Sequence, residues 1–242
     1  MDISPDATLA EHCYLWETSQ SVQVSTATMS RAIQSLGWTR KKKTLRASEQ
    51  KEAERAAWRE LAKTLDANNL VFLDECGSNI ALTRLYARSP KGKRAYGAVP
   101  RNRRANITRL SSLSLQGMGE ALMLEGSADS TAFESYVEQL LAPSLQAGQI
   151  VVMDNLSTHT GDKVRQAISA RGCQLLFLPS YSPDLSPIEE AFSKLKAFLR
   201  RVGARTPERL QEAIGQALLT ITPHDAIGWF SHCGYSSEKQ LS

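Results

Sequence analysis

The chain has 242 residues, 42% hydrophobic and 22% charged, with a formal net charge of +4; this suits one medium domain, or a small one plus a larger one, with a core that needs no disulfide or metal staple. Cys13, Cys76, Cys173 and Cys233 lie far apart, with neither a CxxC pair nor Cys/His zinc spacing, and read as free thiols in a reducing compartment. No run approaches the roughly 18 apolar residues of a membrane span, and the opening MDISPDATLAEH has no signal-peptide pattern, so a cytoplasmic protein without membrane contact is expected.

In chain order, residues 7–17 read as a helix. A second follows in VQVSTATMSRAIQSLGW, capped by Ser25 or Thr26, with Met29, Ile33 and Leu36 at helical spacing and Gly37 as its stop. Two helices followed by TRKKK resemble a helix-turn-helix, although a plain helical hairpin fits the pattern as well. Arg40 to Arg46 holds five basic residues in seven positions, including Arg40, Lys41, Lys42 and Lys43. Residues 47–65 read as a polar helix with an Ala/Trp/Leu stripe, a spacer between modules. Leu70 to Leu73 is a buried strand ending at Asp74. From Arg84 to Arg109 there are nine Lys or Arg and no Asp or Glu, in a stretch read as short strands and exposed turns. Such basic blocks suit a polyanion such as nucleic acid. ITRLSSLSLQG and GEALMLEG read as two more strands. DSTAFESYVEQLLAPSL is a helix with a Thr131/Glu134 capping box. GQIVVMDN is a strand ending at Asp154, HTGDKVRQAISARG a helix stopped by Gly172, and CQLLFLP a third apolar strand. Helices from Pro187, from TPERLQEAIGQALLTI and from TPHDAIGWFSH close the chain. Antiparallel-looking strands followed by alternating helix and strand predict a mixed sheet with helices on both faces.

Asp74 and Asp154 share a context, each where a short apolar strand runs out, and strand ends of such sheets point into the crevice where sites form. A turn or cap role is the plainer reading of either one alone. LLFLPSYSPDLSPIEEAFSKLKAFLRR supplies a third carboxylate. Ser186 fits an N-cap, Pro187 the first helical position and Glu189 the capping-box position. Ile188, Phe192, Leu195, Leu199 and Val202 define the buried stripe. At about 100° per residue, Glu189 lies about 100° from the centre of that stripe, at the core boundary, and Glu190 about 160° away, facing solvent. Glu190 also precedes Lys194 by four, an ion-pair order favoured on helix surfaces. Glu189 is therefore the candidate, and its face also carries Ser193, Lys196 and Arg200, of which the basic pair suits a phosphate backbone. Pro179, Pro183 and Pro187 fix the backbone leading to it, as a site or merely a rigid connector requires. Three clustered carboxylates suit Mg²⁺ or Mn²⁺ rather than zinc, and two such ions about 3.5–4 Å apart clamp an in-line phosphoryl displacement.

VFLDECG, VVMDNLSTH and LPSYSPDLSPIEEAF together resemble the three catalytic blocks of DDE transposases, in the bacterial insertion-sequence branch of the mariner superfamily. There are 34 residues between Asp154 and Glu189, the spacing of that branch, and YARSPKGKRAYGAVPRNRR resembles its basic stretch. The resemblance spans roughly residues 24–235. It implies an RNase H-like catalytic domain, a mixed five-stranded sheet flanked by helices, over residues 70–242. A partial helix-turn-helix DNA-binding segment over 1–45 and a helical linker over 46–69 precede it. It implies a metal-dependent enzyme that cuts double-stranded DNA at transposon ends and joins the freed 3′-hydroxyl to target DNA, usually at TA, as a homodimer. Asp74, Asp154 and Glu189 would bind the Mg²⁺ ions, with Mn²⁺ as substitute. Asn155 and His159 match the motif after the second aspartate, and His159 has a capping or packing role as its alternative. Lys91, Lys93, Arg101, Arg103 and Arg104 are candidates for phosphate contact. Ser186 replaces the usual Asn, and Cys76 stands where Thr is more usual. Relatives carry a further helix-turn-helix upstream, so an N-terminally shortened chain is expected: a fragment, half of a split reading frame or a degenerate copy. A non-cutting DNA-binding copy and an RNase H-like nuclease are the alternatives.

Overall fold

A computed structural model describes residues 6–41, 47–101, 106–155 and 161–236, and the chain divides into two compact units, 1–46 and 47–242. The first holds α1 (Leu9–Gln20) and α2 (Thr26–Ser35). Thr8 and Glu11 form a reciprocal capping box on α1, and the Ser25 side chain accepts the Thr28 N–H on α2. Neither helix contains a buried residue. Leu15, Trp16, Val24, Met29, Ile33 and Leu36 instead line an open groove of about 700 Å³.

In the second unit, five strands form one sheet among the described residues, in the order β3-β2-β1-β4-β5. β1 (Leu70–Ser78), β2 (Ile107–Ser114) and β3 (Gly117–Glu125) are antiparallel neighbours, whereas β4 (Ile150–Met153) and β5 (Gln174–Phe177) run parallel to β1. This is the mixed, helix-flanked sheet that the strand pattern predicts. Alternation along β1 sorts its side chains to two cores. Leu70, Phe72 and Cys76 join Val152 of β4 in a core with Trp58, Ile188, Phe192 and Phe230. Val71 and Leu73 join Val151 and Met153 in a core with Phe133, Tyr136, Val164 and Ile168. The first core is covered by α3 (Glu52–Ala62), α7 (Pro187–Val202) and α9 (Pro223–His232), the second by α4 (Ser130–Tyr136) and α6 (Asp162–Ser169). A π-helical turn (Val137–Leu141) and the short α5 (Ala142–Ser144) extend α4. A third core joins Leu195 and Leu199 of α7 to α8 (Pro207–Leu218).

Several expectations are corrected. α3, read as a spacer, packs into this unit, because Arg55, Trp58 and Ala62 on its inner face are buried. β1 continues past Asp74 to Ser78, because β2 still pairs with it there. The basic stretch holds no strand over its described residues 84–101, where Gly and Pro punctuation leaves it without an apolar face to bury, and enters β2 only at its end, at Ile107. Asp129, not Thr131, caps α4 by accepting the Ala132 N–H, and Glu134 pairs with Lys163 at 2.9 Å. Val202 is 46% exposed at the end of α7. Lys194 pairs with Asp225 at 2.6 Å, and Glu190 faces His232 at 3.1 Å, because α9 packs where open solvent was expected.

One buried group runs against the apolar pattern. Arg109 on β2 is 1% exposed, with its guanidinium over the Phe192 ring at 4.9 Å and Nε donating to Ser111 Oγ. Its Nη2 has no hydrogen-bond partner among the described residues, and burial pushes its pKa down. A buried, incompletely partnered charge destabilises a fold. Arg109→Met is therefore expected to raise stability by about 1–3 kcal/mol, read as a higher urea midpoint with an unchanged slope.

Candidate active site

The site begins where the sheet changes character. β1 and β4 pair in parallel from Leu70↔Ile150 to Leu73↔Met153, where β4 ends. Among the described residues, β1 runs on paired only on its β2 side, with Asp74 opposite Ser111. The ladder thus opens at the C-terminal end of β4, the crevice position of open sheets. Alternation places Asp74 on the face of Phe72 and Cys76, and Asp154 follows Val152 on that same face. α7 covers this face, and Glu189 lies in its first turn. The middle of β1, the end of β4 and the start of α7 thereby deliver three carboxylates, remote in sequence, to one cavity.

That cavity is open, about 480 Å³ in volume, and lined by Asp74, Glu75, Asp154, Asn155 and Glu189, with Leu73, Leu178 and the segment from Pro179 to Pro183 as walls. Asp74, Asp154 and Glu189 are half-buried and Asn155 is exposed. Asp74 Oδ1 accepts the Glu75 N–H at 2.7 Å. The lining offers only hard oxygen donors of the kind Mg²⁺ and Mn²⁺ prefer. Among the described residues, no three His, Cys, Asp or Glu side chains are gathered closely enough to hold a metal ion. The carboxylates share a cavity rather than a closed cage, so the donor set suits such an ion by its chemistry, without the spacing of a formed site.

The Glu189 end is held by unusual local structure. Ser186 caps α7 without a side-chain hydrogen bond, and its carbonyl accepts the Glu189 N–H at 3.1 Å. The expected capping box is not formed, because Ser186 has its side chain buried in the wall of the cavity instead. Upstream, Pro183–Leu185 makes one 3₁₀ turn. α3 and the residues just before it grip this segment three times. Gln50 Nε2 donates to the Tyr181 carbonyl at 2.7 Å. Arg55 donates two parallel bonds to Asp184, at 2.9 and 2.7 Å. Trp58 Nε1 donates to the Tyr235 hydroxyl, which donates to the Leu185 carbonyl. The Arg55 guanidinium holds the Asp184 carboxyl below the usual carboxylate range, and Asp184 in turn raises Arg55.

The sequence model of one family, described as DDE superfamily endonuclease, matches residues 69–211, a span that contains all three carboxylates. The chain belongs to the DDE superfamily endonucleases. Among solved structures, this endonuclease is similar in fold to the Mos1 transposase paired-end complex with left transposon end. The TM-score is 0.69 at 15% identity, covering 94% of this chain and 76% of that one. It is similar likewise to the Mos1 mariner paired end complex with Mn (0.69, 16% identity, 93% and 75% covered) and to the Mos1 Strand Transfer Complex (0.66, 15%, 94% and 75%). A search of the curated proteins found no sequence match. The RNase H-like architecture expected from the motifs is the architecture of this family's fold.

The remaining candidates fall in three groups. Arg40, Lys41, Lys91, Lys93 and Arg101 are exposed, whereas Lys196 and Arg200 are half-buried on α7. Lys196 lies against Cys76; burial pushes that thiol up, and Lys196 and Arg109 pull it the other way. Lys42, Lys43, Arg103, Arg104 and His159 lie outside the described residues. Sequence reasoning missed Glu75 as a lining residue, since strict alternation places it on the opposite face from Asp74. It reaches the cavity because the ladder is open there. It also missed the Arg55–Asp184 pair, which joins positions 129 apart and has no local signal.

Arg55 is 7% exposed at its side chain and Asp184 59%, so removing Asp184 leaves a buried charge with only the longer Glu52 contact at 3.3 Å, while removing Arg55 leaves no buried charge. Asp184→Ala is expected to cost about 2 kcal/mol in urea denaturation at pH 7. Because the folded Asp184 pKa is depressed, its contribution is present above the unfolded value and is lost as pH falls through the folded one. The gap between wild type and variant should therefore shrink below about pH 4.

Proposed function

We propose that the chain is a transposase that cuts DNA at transposon ends and joins the freed 3′-hydroxyl to target DNA. The observation that carries this reading is the convergence of Asp74, Asp154 and Glu189, from three distant segments, on one cavity. Family membership as an endonuclease and a fold shared with complexes of a mariner transposase on its DNA support it. The three blocks and their spacing favour the bacterial insertion-sequence branch. A homodimer bridging two ends, insertion at TA and a cytoplasmic place on the nucleoid complete the reading. No helix among the described residues is long and apolar enough to cross a membrane.

Asp74, Asp154 and Glu189 would hold two Mg²⁺ ions, or Mn²⁺, and similar structures with Mn and with Mg support that choice. When bound, such ions activate the attacking oxygen and stabilise the leaving one. The protein's own part is positioning. The proline-bound loop fixes the start of α7, and the β1–β4 ladder fixes the aspartates. Exposed Arg40, Lys41, Lys91, Lys93 and Arg101 supply phosphate contacts, with Lys196 and Arg200 nearer the core. Asn155, at the cavity mouth, can donate and accept toward a sugar or base.

The test is cleavage of plasmid DNA carrying the sequences that flank this chain's own gene, with Mg²⁺ or Mn²⁺. Glu189→Ala or Asp154→Asn should lower cutting by several kcal/mol of transition-state stabilisation, about 10³-fold, while DNA binding is retained. Cutting that survives either substitution rejects the site, and binding without cutting by wild type identifies a non-cutting DNA-binding copy. Replacing Lys91 and Lys93 by Ala should flatten the slope of log affinity against log salt by about 0.9 per lost phosphate contact.

A further inference from the structure

We propose that Tyr181 is a platform on which one unpaired nucleobase stacks beside the phosphate to be cut. This rests on the reading of the chain as a DNA-cutting enzyme and adds a strand-positioning residue to it. Tyr181 lines the same cavity as Asp74, Asp154 and Glu189. Its backbone is left-handed, at φ +55°; among the described residues other than glycine only Ser21 shares that feature. A bulky aromatic is a poor occupant of this region, where Gly or Asn sits with less strain. The ring does not earn its place through packing: it is 58% exposed and belongs to none of the three apolar cores.

The backbone beneath it is rigid, however. Pro179 and Pro183 flank it, Ser182 and Leu185 are buried, and Gln50 holds its carbonyl at 2.7 Å. A strained residue that the surroundings over-determine, with its side chain presented to solvent, points to a ligand for that side chain. The cavity it borders is rich in carboxylates, which repel a phosphodiester approaching without cations. A flat uncharged ring on the rim attracts the other part of a nucleotide. Bases of every sequence have a π-face, so stacking is sequence-tolerant. The base concerned must first leave the duplex, which favours DNA that is already frayed or forked.

The test uses Tyr181→Gly, because Gly takes φ +55° without strain and the variant should fold at least as stably as wild type. The probes are a forked duplex of arbitrary sequence with 2-aminopurine in its single-stranded arm, and a fully paired duplex of the same length, both titrated with Ca²⁺ in place of Mg²⁺, a hard cation that offsets the carboxylate charge. Tyr181→Gly and Tyr181→Asn should bind the forked DNA about 5- to 150-fold more weakly, the worth of one base–aromatic stack. Both should bind the paired duplex as wild type does. Tyr181→Phe and Tyr181→Trp should keep forked-DNA binding and the quenching of 2-aminopurine, which Gly and Asn abolish. Undiminished forked-DNA binding by Tyr181→Gly, or an equal loss on both probes, overturns the proposal. Wild type that binds neither DNA overturns this proposal together with the reading beneath it. Wild type that binds and cuts, matched by Tyr181→Gly, overturns this one alone.

Discussion

The two parallel hydrogen bonds from Arg55 to Asp184 are the constraint on which the arrangement of the cavity depends. A guanidinium fork fixes distance and orientation at once, and here it ties α3 to the segment one turn ahead of α7. With the Gln50 and Trp58 contacts on either side, the loop from Pro179 to Leu185 has little freedom left. Rotation or slippage of that loop would move the start of α7, and Glu189 with it. The asymmetry of the pair matters as well. Its cationic half is buried and its anionic half is half-exposed, so a departing loop leaves a desolvated cation to the weaker Glu52 contact alone.

The sheet supplies the other half of the arrangement. A strand with an antiparallel neighbour on one side and a parallel neighbour on the other has ladders of unequal length. β4 contributes four residues, and β1 outruns it by five. The overhang is what turns the end of the central strand into a cavity wall, and it is why an acidic doublet can line the opening from both faces of one strand. Period-two alternation then does the sorting. The residues two before Asp74 and two before Asp154 both pack under α7, so the aspartates open on the cavity that Glu189 lines rather than towards α6.

Much of this was legible in the chain itself. Short apolar runs ending in Asp, and a proline-paced approach to Glu189, located the carboxylates because burial and backbone restriction leave strong local signatures. The strands and most helices followed from periodicity. The errors share a cause. The supposed Glu190–Lys194 pair, the Ser186 capping box and the α3 spacer were all inferred from neighbours in sequence, and in each case a distant element intervened: α9 met Glu190 and Lys194, the cavity wall took Ser186, and the core took Trp58. Arg109 is the reverse case. A basic residue within a basic stretch reads as surface, and only its place on the central strands shows it buried over Phe192. The strain at Tyr181 had no sequence signal, since tyrosine is not a residue that announces a left-handed backbone.

The order of strands also governs when this endonuclease becomes whole during synthesis. β1, β2 and β3 are close in sequence and join through near-neighbour pairings, whereas β4 arrives much later and must insert beside a strand already made. Between translation of Asp74 and of Glu189 the ribosome adds 115 residues, on the order of ten seconds of elongation. For the first 80 of those residues, until Asp154 is made, the growing polypeptide carries one acidic strand and no companion for it. A topology that splits the carboxylates between early and late segments thus leaves the cavity unformed until the start of α7 has been made.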